Sequence, residues 1–208
     1  AETAETFTST NTYNEINQLI TSEDNMGYIR QWEQDEIGNS VTYTDAEGNI
    51  TDRIFDELSR ETETLQYLND ETGVVTDTIS VIKEYDENSN LRFLTDDKGN
   101  KTEWMYDVLN RQIQEIMPDG TVYKDYTDGY DANSNLIIWR DANGNEIIQQ
   151  FDELDRLTRK DIQKGAGIEG TTFENYAYDG LSRMVAAQDV DSVVEIRYDS
   201  LSRKREET

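Results

Sequence analysis

The sequence predicts an all-β fold built as a strip of stacked antiparallel β-hairpins, and three observations predict it. A short phrase recurs along the chain: an aromatic, an acid, a short turn, then an Arg or Asn. A second turn, Asp-x-x-Gly-Asn, alternates with it. Between the turns lie runs of five to seven residues rich in β-formers, bounded by Gly, Asn and Asp, which read as strands joined in hairpins. Self-similarity on this scale means stacked supersecondary units, each burying its apolar surface against its neighbours.

The first phrase has eight copies. Four are Tyr85-Asp86-Glu87-Asn88-Ser89-Asn90, Tyr106-Asp107-Val108-Leu109-Asn110-Arg111, Tyr130-Asp131-Ala132-Asn133-Ser134-Asn135 and Phe151-Asp152-Glu153-Leu154-Asp155-Arg156. Others begin at Phe55 (Asp56, Arg60), Tyr178 (Asp179, Arg183) and Tyr198 (Asp199, Arg203), with a worn copy at Tyr13, where Asn14 replaces the acid. Tyr85 to Tyr130 is 45 residues, as is Tyr106 to Phe151, so an Asn-Ser-Asn copy alternates with a Leu-x-Arg copy and the larger unit is a pair. The second turn stands at Asp45-Ala46-Glu47-Gly48-Asn49, at Asp141-Ala142-Asn143-Gly144-Asn145 and, one residue shorter, at Asp97-Lys98-Gly99-Asn100.

In chain order, residues 1–12 read as a frayed segment preceding a repeat array over 13–208. Asn14 to Thr21 allows a turn or two of helix. Leu91, Phe93 and Thr95 share one face of a strand, and so do Thr102, Trp104 and Tyr106, by the period of two that a pleat imposes. Lys101 to Tyr106, Leu136 to Arg140, Glu146 to Phe151 and Val193 to Tyr198 are expected strands. Lys164 to Thr172 lengthens its unit to 27 residues and is expected to form a longer surface loop. Five residues follow Arg203, too few for the next full strand, so the chain reads as cut from a longer array with an open edge suited to edge-to-edge self-association.

The Tyr-Asp phrase and the Asp-x-x-Gly-Asn turn resemble the YD repeat of Rhs proteins, a family similar to teneurins and to the B and C components of Tc toxins. The resemblance runs from about Tyr13 to Lys204. It implies a spiralling hairpin strip that, in complete members, wraps into a hollow shell around a C-terminal toxin, with secretion or surface display, and adhesion as a second use. Complete Rhs proteins end the shell with an Asp-Pro-x-Gly self-cleavage segment. Here the single proline, Pro118, is followed by Asp119-Gly120, so neither a cleavage site nor a toxin domain carries over.

Composition narrows the functions. Forty-five acids against 19 bases give a formal charge of -26, a field that repels nucleic acid and anionic membranes and keeps β-rich edges apart. No apolar run approaches the ~20 residues of a membrane span. With neither His nor Cys, the commonest general base, the commonest zinc ligand and thiol nucleophiles are missing, and no Gly-rich phosphate loop with a Lys is present. The chain therefore reads as no enzyme, with no cofactor. Disorder, which high charge and 35% hydrophobic content favour, is opposed by twelve Tyr, five Phe and three Trp at strand positions.

The repeated residues are assigned structural work. The aromatic packs on the neighbouring hairpin, the Asp accepts hydrogen bonds from amides of the turn it opens, and Arg60, Arg111, Arg156, Arg183 and Arg203 pair with turn acids of their own or the next unit. A repeat offers many ordinary sites where catalysis needs one special constellation. Two binding candidates stand beside this reading. Asp86, Asn88 and Asn90, with Asp131, Asn133 and Asn135, resemble half of a calcium loop, though Leu91 and Leu136 stand where an EF-hand has Gly. Trp32, Trp104 and Trp139 with Tyr43, Tyr67 and Tyr123 form either an exposed platform for a glycan or partner, or an inner packing layer.

Overall fold

The computed structural model describes residues 8–70 and 72–208. The chain forms two compact units that meet in sequence at Lys101/Thr102. Every regular element among the described residues is a strand, so no helix is long and apolar enough to cross a membrane.

The first unit is an antiparallel meander of β1 (Ser9–Tyr13), β2 (Leu19–Asp24), β3 (Ile29–Gln34), β4 (Ser40–Thr44), β5 (Ile50–Phe55), β6 (Glu61–Asn69), β7 (Val75–Tyr85) and β8 (Leu91–Thr95). Each strand pairs with the next in sequence. The second unit repeats the plan with β9 (Lys101–Tyr106), β10 (Gln112–Ile116), β11 (Val122–Asp125), β12 (Ile138–Asp141), β13 (Glu146–Phe151), β14 (Leu157–Gln163), β15 (Phe173–Tyr178), β16 (Met184–Gln188), β17 (Val193–Tyr198) and β18 (Lys204–Glu207). Its pairings are again all antiparallel between sequence neighbours.

Because turns alternate between the two ends of a meander, within each unit the copies of the aromatic-acid phrase fall on one edge and the Asp-x-x-Gly turns on the other, except Asp35-Glu36-Ile37-Gly38-Asn39, which joins β3 to β4 on the phrase edge. Eight of the nine hairpins that close on the phrase edge, all but β11–β12, carry a β-bulge beside the turn. In seven of them the bulge stands opposite the phrase aromatic: Tyr13, Phe55, Tyr85, Tyr106, Phe151, Tyr178 and Tyr198 face Leu19, Glu61, Leu91, Gln112, Leu157, Met184 and Lys204. A bulge inserts an extra residue, bends its strand and leaves a backbone group outside the ladder.

Four expectations are revised. Asn14 to Thr21 is a hairpin turn running into β2, because Asn14 Oδ1 accepts the amides of Ile16 and Gln18 and so closes a turn in place of a helix. Ser9 to Thr12 of the supposedly frayed segment lie in β1, paired with β2, while residues 1–7 fall outside the described residues. Lys204–Glu207 does form a strand against β17, since four residues suffice to pair. The turn before β9 opens at Asp96 and has full length, because Asp96, not Asp97, exchanges backbone hydrogen bonds with Gly99 and Asn100. Lys164 to Thr172 is a loop as expected.

The aromatic layer also differs from the reading of a buried inner layer. Among the described residues only Ile147 is a buried hydrophobic, at 6% exposure. Strands that pair only with their sequence neighbours cover neither face of a sheet fully, so Trp32, Tyr43, Tyr67, Trp104 and Trp139 are half-buried and Tyr123 is exposed.

Candidate functional site

The distinctive chemistry lies along the phrase edge. Asp152 shows how one turn is made. Its Oδ1 accepts the backbone N–H of Leu154 at 2.9 Å and of Arg156 at 3.1 Å, and its own N–H donates to the Arg156 carbonyl at 3.0 Å. The amide of Asp155, at φ 56°, donates to the Asp152 carbonyl. This is a type I turn closed by a left-handed residue, locked by an Asx-turn. Its second carboxylate oxygen accepts Arg156 Nε at 2.7 Å and the terminal guanidinium nitrogen at 2.6 Å, the planar fork that Arg offers a carboxylate. Asp56–Arg60, Asp107–Arg111 and Asp179–Arg183 repeat both distances, and Asp199–Arg203 repeats the Nε bond. Asn90 and Asn135 substitute an amide donor toward Asp86 and Asp131, at 2.9 and 3.0 Å.

The same guanidiniums reach the next turn of the edge. Arg60 Nη1 donates to the Asp86 carbonyl and Ser89 Oγ, Arg156 to the Asp179 carbonyl and Ser182 Oγ, and Arg183 to the Asp199 carbonyl and Ser202 Oγ, at 3.1–3.3 Å. Arg111 reaches Ser134 Oγ at 3.3 Å. The four arginines lie over the rings of Tyr85, Tyr130, Tyr178 and Tyr198, 4.4–4.9 Å from the centroids, in cation–π contact. Tyr85, Tyr130 and Tyr178 then donate their hydroxyls back to the carbonyls of Glu61, Gln112 and Leu157 at 2.7–2.8 Å. Each acceptor is the residue just past the preceding turn, where the bulge interrupts the ladder. Aromatic, acid and base thus rivet successive hairpins together. In the second unit the rivets run through every turn, because Asn135 and Asn133 donate to Asp155 and carry the link across the copy that lacks Arg.

The serines explain an otherwise costly conformation. Ser89, Ser134, Ser182 and Ser202 sit at φ 59–69°, where a side chain costs about 1–2 kcal/mol relative to glycine. Their hydroxyls receive the arginine of the preceding turn, which a glycine could not do.

Arg side-chain hydrogen bonds hold the Asp56, Asp152 and Asp179 carboxyls below their ordinary range, and Asn side chains do the same for Asp45, Asp86, Asp96 and Asp131. For groups depressed in the folded state, the stabilisation is complete above the unfolded pKa and is lost as pH falls through the folded one. Protonating glutamates first relieves the repulsion of a -26 chain. Thermal scans are therefore expected to show a Tm that holds or rises from pH 7 to about 5 and collapses below about 4, near the ordinary Asp pKa. A Tm that keeps rising to pH 3 would show that the turn acids contribute nothing.

Several members of this system are invisible to the phrase. Asp35-Glu36-Ile37-Gly38-Asn39 is a ninth turn of the edge, with Asn39 Nδ2 donating to Asp35 at 2.7 Å and Gln34 in place of the aromatic. Its signal was the spacing of 21 residues from Asn14 and again to Asp56. Asp24 and Asp70 close turns on the other edge in the same manner. The role of the serines had no sequence signal beyond recurrence.

The other candidates are placed differently. Oδ1 of Asp86 and of Asp131 faces turn amides, and among the described residues no group of three or more His, Cys, Asp or Glu is arranged to hold a metal. Trp32 stacks on Tyr43 at 5.4 Å, and Trp139 lies 6.0 Å from Tyr126 while donating Nε1 to Gln149. Tyr67 falls on the opposite face from Trp32 and Tyr43 and donates to Asp52 at 2.9 Å. The six aromatics do not form one platform.

A riveted hairpin strip of this kind defines a class of β-repeat fold, and solved structures of that class are known. No protein-family model matches the chain, and no curated protein matches it in sequence. In structure it is similar to a TcdB2-TccC3 crystal structure and to a TcdB2-TccC3-Cdc42 crystal structure, each with a TM-score of 0.77 at 15% identity over 95% of this chain. It is also similar to a Photorhabdus luminescens Tc holotoxin pore, with a TM-score of 0.75 at 15% identity. The chain spans 11–12% of the length of those chains. The fold is thus that of the hairpin strip found in Tc toxin chains.

Proposed function

We propose that this chain is a structural repeat scaffold of the Rhs/YD type, a stretch of a shell that in its parent protein encloses a C-terminal toxin or other cargo. The observation that carries the reading is the edge of rivets. Its acids, bases and tyrosines are engaged with one another and with backbone groups, which suits a wall whose task is to stay closed. In this reading the chain is non-catalytic, its partners are flanking repeats and cargo, and the parent acts outside the cell, secreted or at the cell surface. The likeness to Tc toxin structures supports the fold that such a role requires.

The reading frame of the parent gene tests it. Further repeats followed by a non-repetitive C-terminal domain are the expected finding. Repeats leading into a cell-wall or membrane anchor would overturn it in favour of the second reading, a surface adhesion or carbohydrate-binding module, for which the exposed rings of Tyr13, Tyr28 and Tyr123 speak. A glycan array then becomes decisive. Calcium is not required by this reading: with the Asp86 and Asp131 carboxylates committed to their turns, millimolar calcium is expected to leave Tm unchanged, and a rise of several degrees would restore a metal site.

A further inference from the structure

The tips of the phrase-edge turns carry an apolar row that the rivets do not use. In the second unit Leu109, Leu154, Leu181 and Leu201 occupy the same place in four of the five copies, two residues after the turn acid, with Asn133 in the copy between Leu109 and Leu154, and are 64, 66, 70 and 71% exposed. Turn chemistry does not demand leucine there. The position contributes its backbone N–H to the acid, at 2.8–2.9 Å, and Asn133 does so equally well in its own turn. A single exposed leucine needs no explanation, but four in one row on a chain of charge -26 do.

We propose that this row is a self-association surface that seats the same edge of a second copy of the chain. The spacing selects the occupant. Successive tips are two strands apart, about 10 Å, and form a ridge one side chain wide, so a partner must present apolar groups at the same period. A second hairpin strip does. The opposite edge of the strip is a poor match, because its tips in this unit are Asp119, Asn143 and Asp191. Charge selects the stretch. The residues before the four leucines are Val108, Glu153, Gly180 and Ser200, whereas the matching places of the first unit hold Glu15, Glu36, Glu57 and Glu87. Two copies meet with least repulsion along the edge of the second unit, in the self-complementary manner of a two-fold dimer. A single ridge buries well under the ~1,000 Å² of a stable interface, so the contact is weak in one copy and strengthens with array length. None of this depends on whether the parent holds cargo.

The test is sedimentation velocity of this chain from about 10 µM to about 1 mM, the range in which interfaces below standard size associate. The sedimentation coefficient is expected to rise with concentration, more steeply in added salt, which screens the negative copies from each other. Leu109→Ser, Leu154→Ser, Leu181→Ser and Leu201→Ser together are expected to weaken association at least tenfold while circular dichroism and Tm stay those of the parent chain. Arg205→Pro, which blocks strand addition at β18, is expected to leave association intact. Because the chain has no cysteine, Leu154→Cys alone is expected to form a disulfide-linked dimer in air, and Asn143→Cys on the opposite edge is not. A parent chain monomeric throughout, a quadruple variant that associates equally, or loss of association in Arg205→Pro would each overturn the proposal.

Discussion

Gly129→Ala is expected to be among the most damaging single substitutions in the chain. A Cβ on Gly129 would lie 2.2 Å from the carbonyl oxygen of Ile138 and 2.8 Å from that of Tyr126, both backbone atoms that no rotamer change can move aside. The Gly129 carbonyl meanwhile accepts the amides of Ile137 and Ile138, so the site anchors the start of β12 and, one residue on, Trp139. Overpacking against side chains alone costs about 1–3 kcal/mol, and a backbone obstacle belongs at or above the top of that range. A fall in Tm on the order of 10 °C is expected for a unit of this size. Gly180→Ala is the control. It stands in a phrase turn with nothing within 4 Å of its would-be Cβ and no positive φ, and is expected to be neutral or slightly stabilising. Equal Tm values for the two variants would refute the steric argument.

Asp179→Ala is expected to have the largest effect among the rivet residues. Asp179 Oδ1 holds the amides of Leu181 and Arg183, Oδ2 holds the Arg183 guanidinium, and its carbonyl receives Arg156 from the turn before. The substitution opens its own turn and frees the Arg183 guanidinium, while the opened turn loosens the backbone carbonyl and the Ser182 hydroxyl that receive Arg156. A loss of Tm on the order of 5 °C is expected, with faster hydrogen exchange at the Leu181 and Arg183 amides and, through Arg183, at the turn opened by Asp199. Asp179→Asn keeps an acceptor for the turn amides but offers Arg183 a donor, so it should fall between the parent and Asp179→Ala. Asp199→Ala, in the last hairpin and with no later turn to serve, should cost less. If the two alanine variants melt together, the rivets do not transmit between hairpins and each turn stands alone.

Much of this was written in the sequence because it is local. A strand of five or six residues between two turns, and a turn closed by its own Asp, are set by residues within a few positions of one another. β9, β13 and β17 therefore fall at the expected residues, Lys101–Tyr106, Glu146–Phe151 and Val193–Tyr198. β12 starts two residues later than Leu136, because Gly129 takes the amides of Ile137 and Ile138 and displaces the start of the strand. Where local signals were faint, reading failed: Asp35 lacks an aromatic partner, and Asp96 beside Asp97 offered two acids for one turn.

What the sequence determined by itself was the class of the fold, the alternation of two turn edges, and the pairing of each turn acid with the Arg or Asn four residues on, since all of these close over a short span. What only the tertiary structure decided was how one hairpin grips the next. The tyrosine hydroxyl that fills the bulge carbonyl of the preceding hairpin, and the serine that receives the previous arginine, join residues 18–29 apart. Such partners meet because strand pairing sets neighbouring turns side by side, about 10 Å apart, within reach of a single arginine. The same geometry left the aromatics half-buried where alternation alone had suggested burial, because alternation tells which face a side chain takes and not whether anything covers that face.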